Sequence, residues 1–492
     1  MIFAIINHSF KYELEKCCRL FMPFEKFRFV DEDSDEDGVI TARYENGETT
    51  DLKVVVRIDG QEEEEQQTIS SSTEDYDKNC EWIFCILLHN CLEKITGYKP
   101  QWGILTGVRP AKLLSRLYSE MGKEQGMKYF KEKLLVSDKK AKLCDQCLRR
   151  EEEIISRSKP EYFSLYIAIP FCPSRCNYCS FVSHSIEKAG KLIPEYLELL
   201  CKEIEYTASL AKKSNLKLQT IYIGGGTPTT LEAEQLEKLF AKISNCFDLS
   251  SLEEYTVEAG RPDTITLSKL EVIKNAGVTR ISINPQTMND EVLKLIERKH
   301  TAQQTIDAYK LAVQVGFDNI NMDLIAGLCG DTIDSFSNTL DQLLVLSPQS
   351  ITVHSLSMKR SSKLTKTNSS FGIEQGKIAD EMVDMAYERL TQAKILPYYM
   401  YRQGKTVGNL ENVGYAKPGY EGLYNVYIMD ETHTILACGA SAVTKLRQPG
   451  GNKIERIFNY KYPYEYINGF DTMIDRKNKV SEFYELYGFG NK

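Results

Sequence analysis

Apolar and polar positions follow two different patterns along the chain, and the first covers residues 1 to about 155. Short apolar runs with period two alternate there with segments whose apolar residues recur every three to four positions, which indicates strands and helices. The turn Glu45-Asn46-Gly47 between two such runs predicts a hairpin. The predicted elements are a strand at 2–6, a helix at 12–21, hairpin strands at 39–44 and 52–58, and helices at 76–95 and after Pro110. We predict a small α+β domain.

From about Ser164 a second pattern begins, in which short apolar runs alternate with longer helical stretches. Six β–α units in succession predict a parallel sheet with helices outside it, closed or partly closed like a barrel. The predicted strands are at 165–169, 220–223, 254–258, 280–283, 319–325 and 350–356. The predicted helices are at 193–211, 232–243, 267–275, 305–314 and 333–346.

Changes in composition suggest where the domains begin and end. Lys159-Pro160 follows a polar helical stretch, and the region after Gln392 is rich in Tyr, Gly and Asn. We therefore predict an N-terminal α+β accessory domain at 1–155, a (β/α) partial barrel at 156–395 and a C-terminal region at 396–492. The fold class is α/β.

The charge of the chain limits its partners. The 492 residues carry a formal net charge of -8, which excludes a general nucleic-acid binder. Two dense acidic runs, at 31–37 and 62–65, are predicted to be solvated loops.

The sequence also predicts a cellular compartment. Its N-terminus has no basic region or cleavage site, and its longest apolar run near a helix, at 82–88, is far too short for a membrane span. We expect a soluble cytoplasmic protein, in which the 14 cysteines are thiols or metal ligands.

Three cysteines follow the first predicted barrel strand, in Cys172-Pro-Ser-Arg-Cys176-Asn-Tyr-Cys179. Thiolates are the ligands of iron–sulfur clusters, and three of them leave the fourth iron of a 4Fe–4S cube open to a small molecule. The loop lies where chemistry occurs in α/β folds, beyond the carboxyl end of a strand. A structural zinc site that includes His184, or unliganded buried thiols, are the alternatives.

A glycine-rich loop, Gly224-Gly225-Gly226-Thr227-Pro228-Thr229, follows the second predicted barrel strand. Consecutive glycines let a backbone approach a ligand closely and adopt positive φ. The loop matches neither a phosphate-binding Walker loop nor a dinucleotide fingerprint. A plain strand–loop turn is the alternative, but the cysteine loop one β–α unit earlier favours a joint ligand site.

Together these loops resemble those of radical S-adenosylmethionine enzymes and, more narrowly, of the oxygen-independent coproporphyrinogen III oxidase family. The resemblance covers about residues 160 to 450. Its further motifs are Tyr166 to Cys172, Val257-Glu258-Ala259, Gln286 to Asn289, Arg298 and Met322 to Gly327. It implies a partial (β/α)6 barrel of the radical S-adenosylmethionine type with a C-terminal extension.

The resemblance also implies roles for individual residues. Cys172, Cys176 and Cys179 match the ligands of a 4Fe–4S cluster. Positions near the cluster-bound S-adenosylmethionine are matched by Tyr166, Gly225 and Glu258. Positions that contact a second S-adenosylmethionine in the better-known oxidase are matched by Tyr178, Gly226, Thr227, Gln286, Arg298 and Asp323. The number of S-adenosylmethionine molecules bound, one or two, stays open.

Three branches of this family can be compared with the chain. The well-known oxidase has a further cysteine where this chain has Phe181. The haem chaperones have a His-Asn-x-x-Tyr-Trp motif, whereas the matching region here is Tyr424-Asn425-Val426-Tyr427-Ile428. The chain resembles more fully a third branch, usually called coproporphyrinogen dehydrogenase HemZ. The resemblance to that branch is carried by Trp102 to Pro110, Cys179-Ser180-Phe181, Tyr398 to Gln403 and Gly408 to Ala416.

This resemblance implies an oxidoreductase of haem biosynthesis that converts coproporphyrinogen III into protoporphyrinogen IX by oxygen-independent oxidative decarboxylation. It implies a tetrapyrrole substrate and a low-potential electron donor such as flavodoxin or ferredoxin. Because both substrate and chain are acidic, local cations must bind the propionates. The candidates are Arg261, Lys359, Arg360 and Arg402. A haem-binding carrier, or a radical enzyme for another tetrapyrrole, are the alternatives.

Overall fold

The computed structural model describes the chain except for residues 24, 48, 71–75, 180–181, 358–370, 405 and 489–492, and the side chains of 371–373. The described residues form two units. Unit 1 comprises Met1–Asp145, Arg402–Glu411 and the described residues of Thr365–Glu381. Unit 2 comprises the described residues of Gln146–Leu364, Met382–Tyr401 and Asn412–Lys492. The predicted domain boundaries near 155 and 395 stay a prediction.

Unit 1 is built around a five-stranded sheet among its described residues. Its strands, in the order β2-β1-β3-β4-β5, are β1 (Ile2–Ile6), β2 (Arg28–Val30), β3 (Val39–Asn46), β4 (Thr50–Ile58) and β5 (Gln61–Ile69). β1 is parallel to both of its neighbours, and β3, β4 and β5 are antiparallel. The helices are α1 (Lys11–Phe21), α2 (Tyr76–Thr96), α3 (Pro110–Met121), α4 (Lys123–Glu132) and α5 (Asp138–Ile155), which continues into unit 2. The predicted α+β character is confirmed.

The second acidic run, residues 62–65, is not a loop. It lies in β5, the strand at the edge of the sheet, so the prediction of a solvated loop is wrong. The Nε atom of Arg57 lies 2.7 Å from Glu62, and the Nζ atom of Lys94 lies 2.6 Å from Glu65. Charged side chains suit an edge strand because they discourage pairing with another chain.

The second sheet has eleven strands among the described residues. Six consecutive parallel neighbours are β6 (Tyr162–Ile169), β9 (Lys217–Gly225), β10 (Glu254–Glu258), β11 (Arg280–Ser282), β12 (Ile320–Ala326) and β13 (Ser350–Ser355). These six are the predicted barrel strands, so the partial barrel is confirmed. A separate parallel pair is formed by β7 (Phe171–Cys172) and β8 (His184–Ser185).

Strands from the C-terminal region extend this sheet at both of its ends. They are β14 (Leu396–Arg402), β15 (Glu411–Ala416), β16 (Thr434–Cys438), β17 (Val443–Arg447) and β18 (Ile454–Phe458). β15 lies antiparallel to β13, and β16 lies parallel to β6. The C-terminal region is therefore part of the sheet that carries the predicted site.

The remaining helices connect these strands or follow them. They are α6 (Ile186–Ala189), α7 (Ile193–Lys213), α8 (Ala233–Cys246), α9 (Leu267–Asn275), α10 (Asp290–Leu295), α11 (Ala302–Val315), α12 (Ile333–Leu346), α13 (Phe371–Gln392), α14 (Leu423–Asp430), α15 (Pro463–Asn468), α16 (Phe470–Lys477) and α17 (Lys479–Tyr487). Local capping marks several starts, since the Thr301 side chain and Gln304 form a capping box at α11. In the described part of the chain, no helix has the length and apolarity needed to cross a membrane.

Alternation along the strands gives the sheet one apolar and one polar face. Ile223, Val257 and Ile281 are fully buried and lie side by side on β9, β10 and β11. The polar side chains on the opposite face bond to one another across strands. The Nδ2 atom of Asn321 donates to Ser282 Oγ at 2.9 Å and to Asp323 Oδ1 at 2.7 Å. The functional groups predicted from the sequence lie on this polar face or just beyond its carboxyl end.

Candidate cofactor site

The cysteine loop begins directly beyond the carboxyl end of β6. Two backbone bonds hold it beside the glycine loop, because Gly226 N donates to Ile169 O at 2.8 Å and Thr227 N donates to Phe171 O at 2.7 Å. Cys172 ends β7, and Cys179 N donates to Cys176 O at 3.2 Å. The three cysteines are half-buried and form no disulfide.

The thiols suit a cluster better than a single metal ion. In the described part of the chain, no three His, Cys, Asp or Glu side chains are grouped so that they could hold one ion. His184, the fourth ligand of the zinc alternative, instead places its ring edge-on to Tyr462 and Tyr464, with centroid distances of 5.7 and 6.4 Å. A cube binds each thiolate at a different iron, so it does not require the three thiols to converge on one ion.

Two of the three glycines leave no room for a side chain, and the third has a backbone conformation that favours glycine. A Cβ on Gly224 would lie 2.9 Å from the carboxyl carbon of Glu258, and one on Gly226 would lie 2.5 Å from Phe171 O. Gly225 has a φ of +103°, a left-handed conformation that other residues rarely adopt. The loop can therefore lie against both the cysteine loop and a carboxylate only because these residues are glycines.

Glu258 ends β10 beneath the glycine loop. Burial raises the pKa of its carboxyl to about 7, although the Tyr222 hydroxyl, which donates to Oε1 at 2.5 Å, acts in the opposite direction. The ring of Tyr222 stacks on Tyr424 at 4.6 Å, and Tyr166 lies 6.2 Å from both. Our sequence reasoning missed Tyr222 and Tyr424, although alternation on β9 places Tyr222 on the same face as Gly224.

Two further predicted residues, Arg298 and Tyr178, are in contact. Nε and Nη2 of Arg298 donate to the Tyr178 hydroxyl at 3.2 and 3.0 Å, and Nη1 donates to Asn284 O at 3.2 Å. Burial raises the pKa of Tyr178, so its hydroxyl stays protonated. The guanidinium thus connects the cysteine loop to the segment that follows β11.

The last predicted pair, Gln286 and Asp323, is joined through the backbone. Gln286 N donates to Asp323 O at 2.9 Å, and Gln286 has a φ of 68°, which is unusual for a residue other than glycine. Burial acts to raise the pKa of Asp323, but bonding to His354 and Asn321 outweighs it, and the net pKa is lowered. Asp323 is therefore ionised at pH 7, whereas burial holds the pKa of Glu258 well above its ordinary value.

The residues predicted to bind the cluster and S-adenosylmethionine lie on the six parallel strands of one sheet or on the segments that follow them. Which of them bind S-adenosylmethionine stays a prediction, as does the number of S-adenosylmethionine molecules. Two of the predicted propionate-binding cations are buried and already bonded, so that prediction is wrong for them. Arg261 is 3% exposed and contacts Asp263, and Arg402, in unit 1, is 6% exposed and donates to Leu105 O at 2.7 Å. Lys359, Arg360 and Phe181 lie outside the described residues.

Comparison with known proteins adds to this geometry. The family model of the radical SAM superfamily matches residues 166–343. An oxygen-independent coproporphyrinogen-III oxidase-like protein, HemZ, of Bacillus subtilis is 40% identical over 398 residues, which is 80% of this chain and 79% of that protein. The haem chaperone HemW of the same organism is 40% identical over 194 residues, or 39% of this chain and 50% of that protein.

A solved structure has a similar fold. Coproporphyrinogen III oxidase (HemN) from Escherichia coli, described as a radical SAM enzyme, superimposes with a TM-score of 0.50 and 23% identity. The match covers 65% of this chain and 72% of the other.

Proposed function

This chain belongs to the radical S-adenosylmethionine superfamily and, within it, to the oxygen-independent coproporphyrinogen III oxidase family, and we propose that it decarboxylates coproporphyrinogen III oxidatively to protoporphyrinogen IX in haem biosynthesis. The observation that carries the proposal is the cysteine loop hydrogen-bonded beside the glycine loop, with Glu258 beneath both. Similarity over 79% of a coproporphyrinogen-III oxidase-like relative supports the choice of substrate.

Cys172, Cys176 and Cys179 would hold a 4Fe–4S cluster and leave one iron for the amino and carboxylate groups of S-adenosylmethionine. When bound, the reduced cluster would supply the electron that splits the sulfonium into methionine and a 5′-deoxyadenosyl radical; this radical would take a hydrogen atom from a substrate propionate, and loss of carbon dioxide would release one electron to an external acceptor. The role of the protein's own residues is to bind and orient the reactants and to keep water away from them.

Individual side chains would orient the S-adenosylmethionine. Glu258 offers carboxylate oxygens to ribose hydroxyls or to the amino group, and Gly225 lets the backbone approach closely. Tyr166, beside them, is partly exposed and contributes a ring that excludes water. A second S-adenosylmethionine, near Tyr178, Gly226, Thr227, Gln286, Arg298 and Asp323, is proposed on family resemblance alone.

The reaction can be tested by product mass. When the cluster-loaded protein is incubated anaerobically with S-adenosylmethionine, reductant and coproporphyrinogen III, we expect a product that has lost two carbon dioxide units. A haem carrier is the second candidate, favoured by the 40% identity to a haem chaperone over 194 residues. Tight, stoichiometric haem binding together with no loss of carbon dioxide would reject the decarboxylase and support the carrier.

We expect the affinity for S-adenosylmethionine to depend on the ionisation of Glu258. Because the pKa of its carboxyl is about 7, the ionised fraction rises about tenfold from pH 6 to pH 8. If the carboxylate accepts hydrogen bonds from S-adenosylmethionine, the affinity measured by calorimetry should rise by about the same factor and level off above pH 8.

Glu258→Gln should bind more weakly at pH 8 and lose this pH dependence. Glu271→Gln, at an exposed position on α9, is the matched control and should behave as the wild type does. Equal pH dependence in Glu258→Gln and in the wild type would reject this role for Glu258.

A further inference from the structure

We propose that Arg261 is a positioning residue that donates a charged hydrogen bond to the Cys176 thiolate and thereby raises the reduction potential of the cluster. This inference rests on the proposed function, because it requires a cluster on the three cysteines. Nη1 of Arg261 lies 3.9 Å from Cys176 Sγ and 3.3 Å from Ser174 Oγ. The Arg261 side chain thus brings a positive charge into contact with both the cysteine loop and one of its thiols.

An anion on the loop after β10 fixes the direction of this guanidinium. Nε of Arg261 lies 2.9 Å from Asp263 Oδ1, and Nη2 lies 3.0 Å from Asp263 Oδ2. This two-pronged contact uses the flat edge of the guanidinium and leaves Nη1 facing the cysteine loop. Because Arg261 is only 3% exposed, water competes little for that donor.

The neighbouring groups determine the electrostatic potential at the Cys176 sulfur. His300 is buried, and burial, together with the charges of Arg298 and Arg261, lowers its pKa to about 3, so it is neutral. The guanidinium of Arg298 is directed to the Tyr178 hydroxyl. The charges near Cys176 therefore include the Arg261 cation, which contacts its sulfur, the Arg298 cation and, on the far side of Arg261, the Asp263 carboxylate.

A second thiol has a donor of a different kind. The Thr227 hydroxyl lies 3.5 Å from Cys172 Sγ and carries no charge. Hydrogen bonds to the sulfurs and the local charge are among the factors that set the potential of an iron–sulfur cluster. One electron from an external low-potential donor makes the cluster more negative, and a cation beside a ligand stabilises that reduced form. Arg261 itself gains and loses neither electron nor proton.

The measurement is a redox titration of the reconstituted full-length protein, with dithionite as reductant and electron paramagnetic resonance of the reduced cluster as readout. For Arg261→Gln, we expect the ratio of reduced to oxidised cluster at a fixed potential to be about tenfold lower than in the wild type, which is a fall in the midpoint potential of about 59 mV for a one-electron couple. Arg261→Lys keeps the charge and should recover part of this difference. Arg157→Gln removes an Arg–Glu pair at the surface, 2.8 Å long, and should leave the potential unchanged.

Asp263→Asn provides a test with the opposite sign. It removes the carboxylate that offsets the charge of the guanidinium, so we expect the reduction potential of the cluster to rise. If Arg261→Gln fails to hold a cluster, the potential of Asp263→Asn tests the proposal in its place. Equal potentials in the wild type and in a cluster-loaded Arg261→Gln, or no upward shift in Asp263→Asn, would overturn the proposal. The readout needs no coproporphyrinogen III, so failure of the decarboxylation assay leaves the role of Arg261 standing.

Discussion

Replacing Cys176 by alanine should abolish the cleavage of S-adenosylmethionine. Cys176 is the middle of three partly exposed thiols on one loop, and its removal takes away one of the three protein ligands of the cluster. We expect reconstituted Cys176→Ala to lack the visible absorption of a 4Fe–4S cluster and to form no 5′-deoxyadenosine. Iron and sulfide analysis, absorption spectra and chromatography of the products measure the effect.

Cys246→Ala is the matched control for this substitution. Cys246 ends α8, is also a partly exposed free thiol, and lies in unit 2 outside the cysteine loop. The Cys246→Ala protein should bind a full cluster and cleave S-adenosylmethionine at the wild-type rate. A Cys176→Ala protein with a normal cluster and normal cleavage would show that the three cysteines are not the ligands.

Replacing Gly226 by alanine should have an effect almost as large. The new Cβ would lie 2.5 Å from Phe171 O, 2.8 Å from Ile169 O and 2.9 Å from Phe171 N. These are backbone atoms of the segment that leads into Cys172, so they cannot rotate away as the end of a flexible side chain would. The hydrogen bond from Gly226 N to Ile169 O would break, and the two loops would separate.

A displacement of about 1 Å in such a site can reduce the rate about 100-fold, and we expect a loss of this size in 5′-deoxyadenosine formation. Circular dichroism should show that Gly226→Ala is still folded. Gly190→Ala is the control, since Gly190 has a φ of −58° and a Cβ there would meet only Ile186 Cβ, at 3.8 Å. Wild-type cleavage by Gly226→Ala would mean that the loops need not lie in contact.

Local signals were sufficient to predict much of the barrel. The strand Glu254–Glu258 and the helices Leu267–Asn275 and Ile333–Leu346 have the bounds that their patterns predict. Each of the two helices begins after a threonine whose side chain caps it, so the information lies within a few residues of the boundary. The two loops were also predictable as neighbours, because consecutive parallel strands end at the same edge of a sheet.

Other elements depend on partners that are distant in sequence. A run of four glutamates has no strand-like pattern, yet it forms part of β5, where Nζ of Lys94 on α2, 29 positions along the chain, lies 2.6 Å from Glu65. The pairing of β16 with β6 joins residues about 270 positions apart, and no local pattern specifies such a contact. The C-terminal region therefore could not be assigned to the sheet from the sequence.

The candidate site, like the fold, has features that the sequence predicts and features that only tertiary packing decides. Residue type and spacing indicated the three thiols and the three glycines as a candidate site, because ligand chemistry and backbone freedom belong to each residue and its near neighbours, whereas the carboxylates of Glu258 and Asp323 were indicated by the family resemblance. Only the folded chain decided that Tyr222 and Tyr424 stack beside Glu258, and that Arg261 is bonded to Asp263 and Cys176 rather than free for a substrate. Burial, pKa and the direction of a hydrogen bond are set by atoms from several elements, so they arise only when tertiary packing brings those elements together.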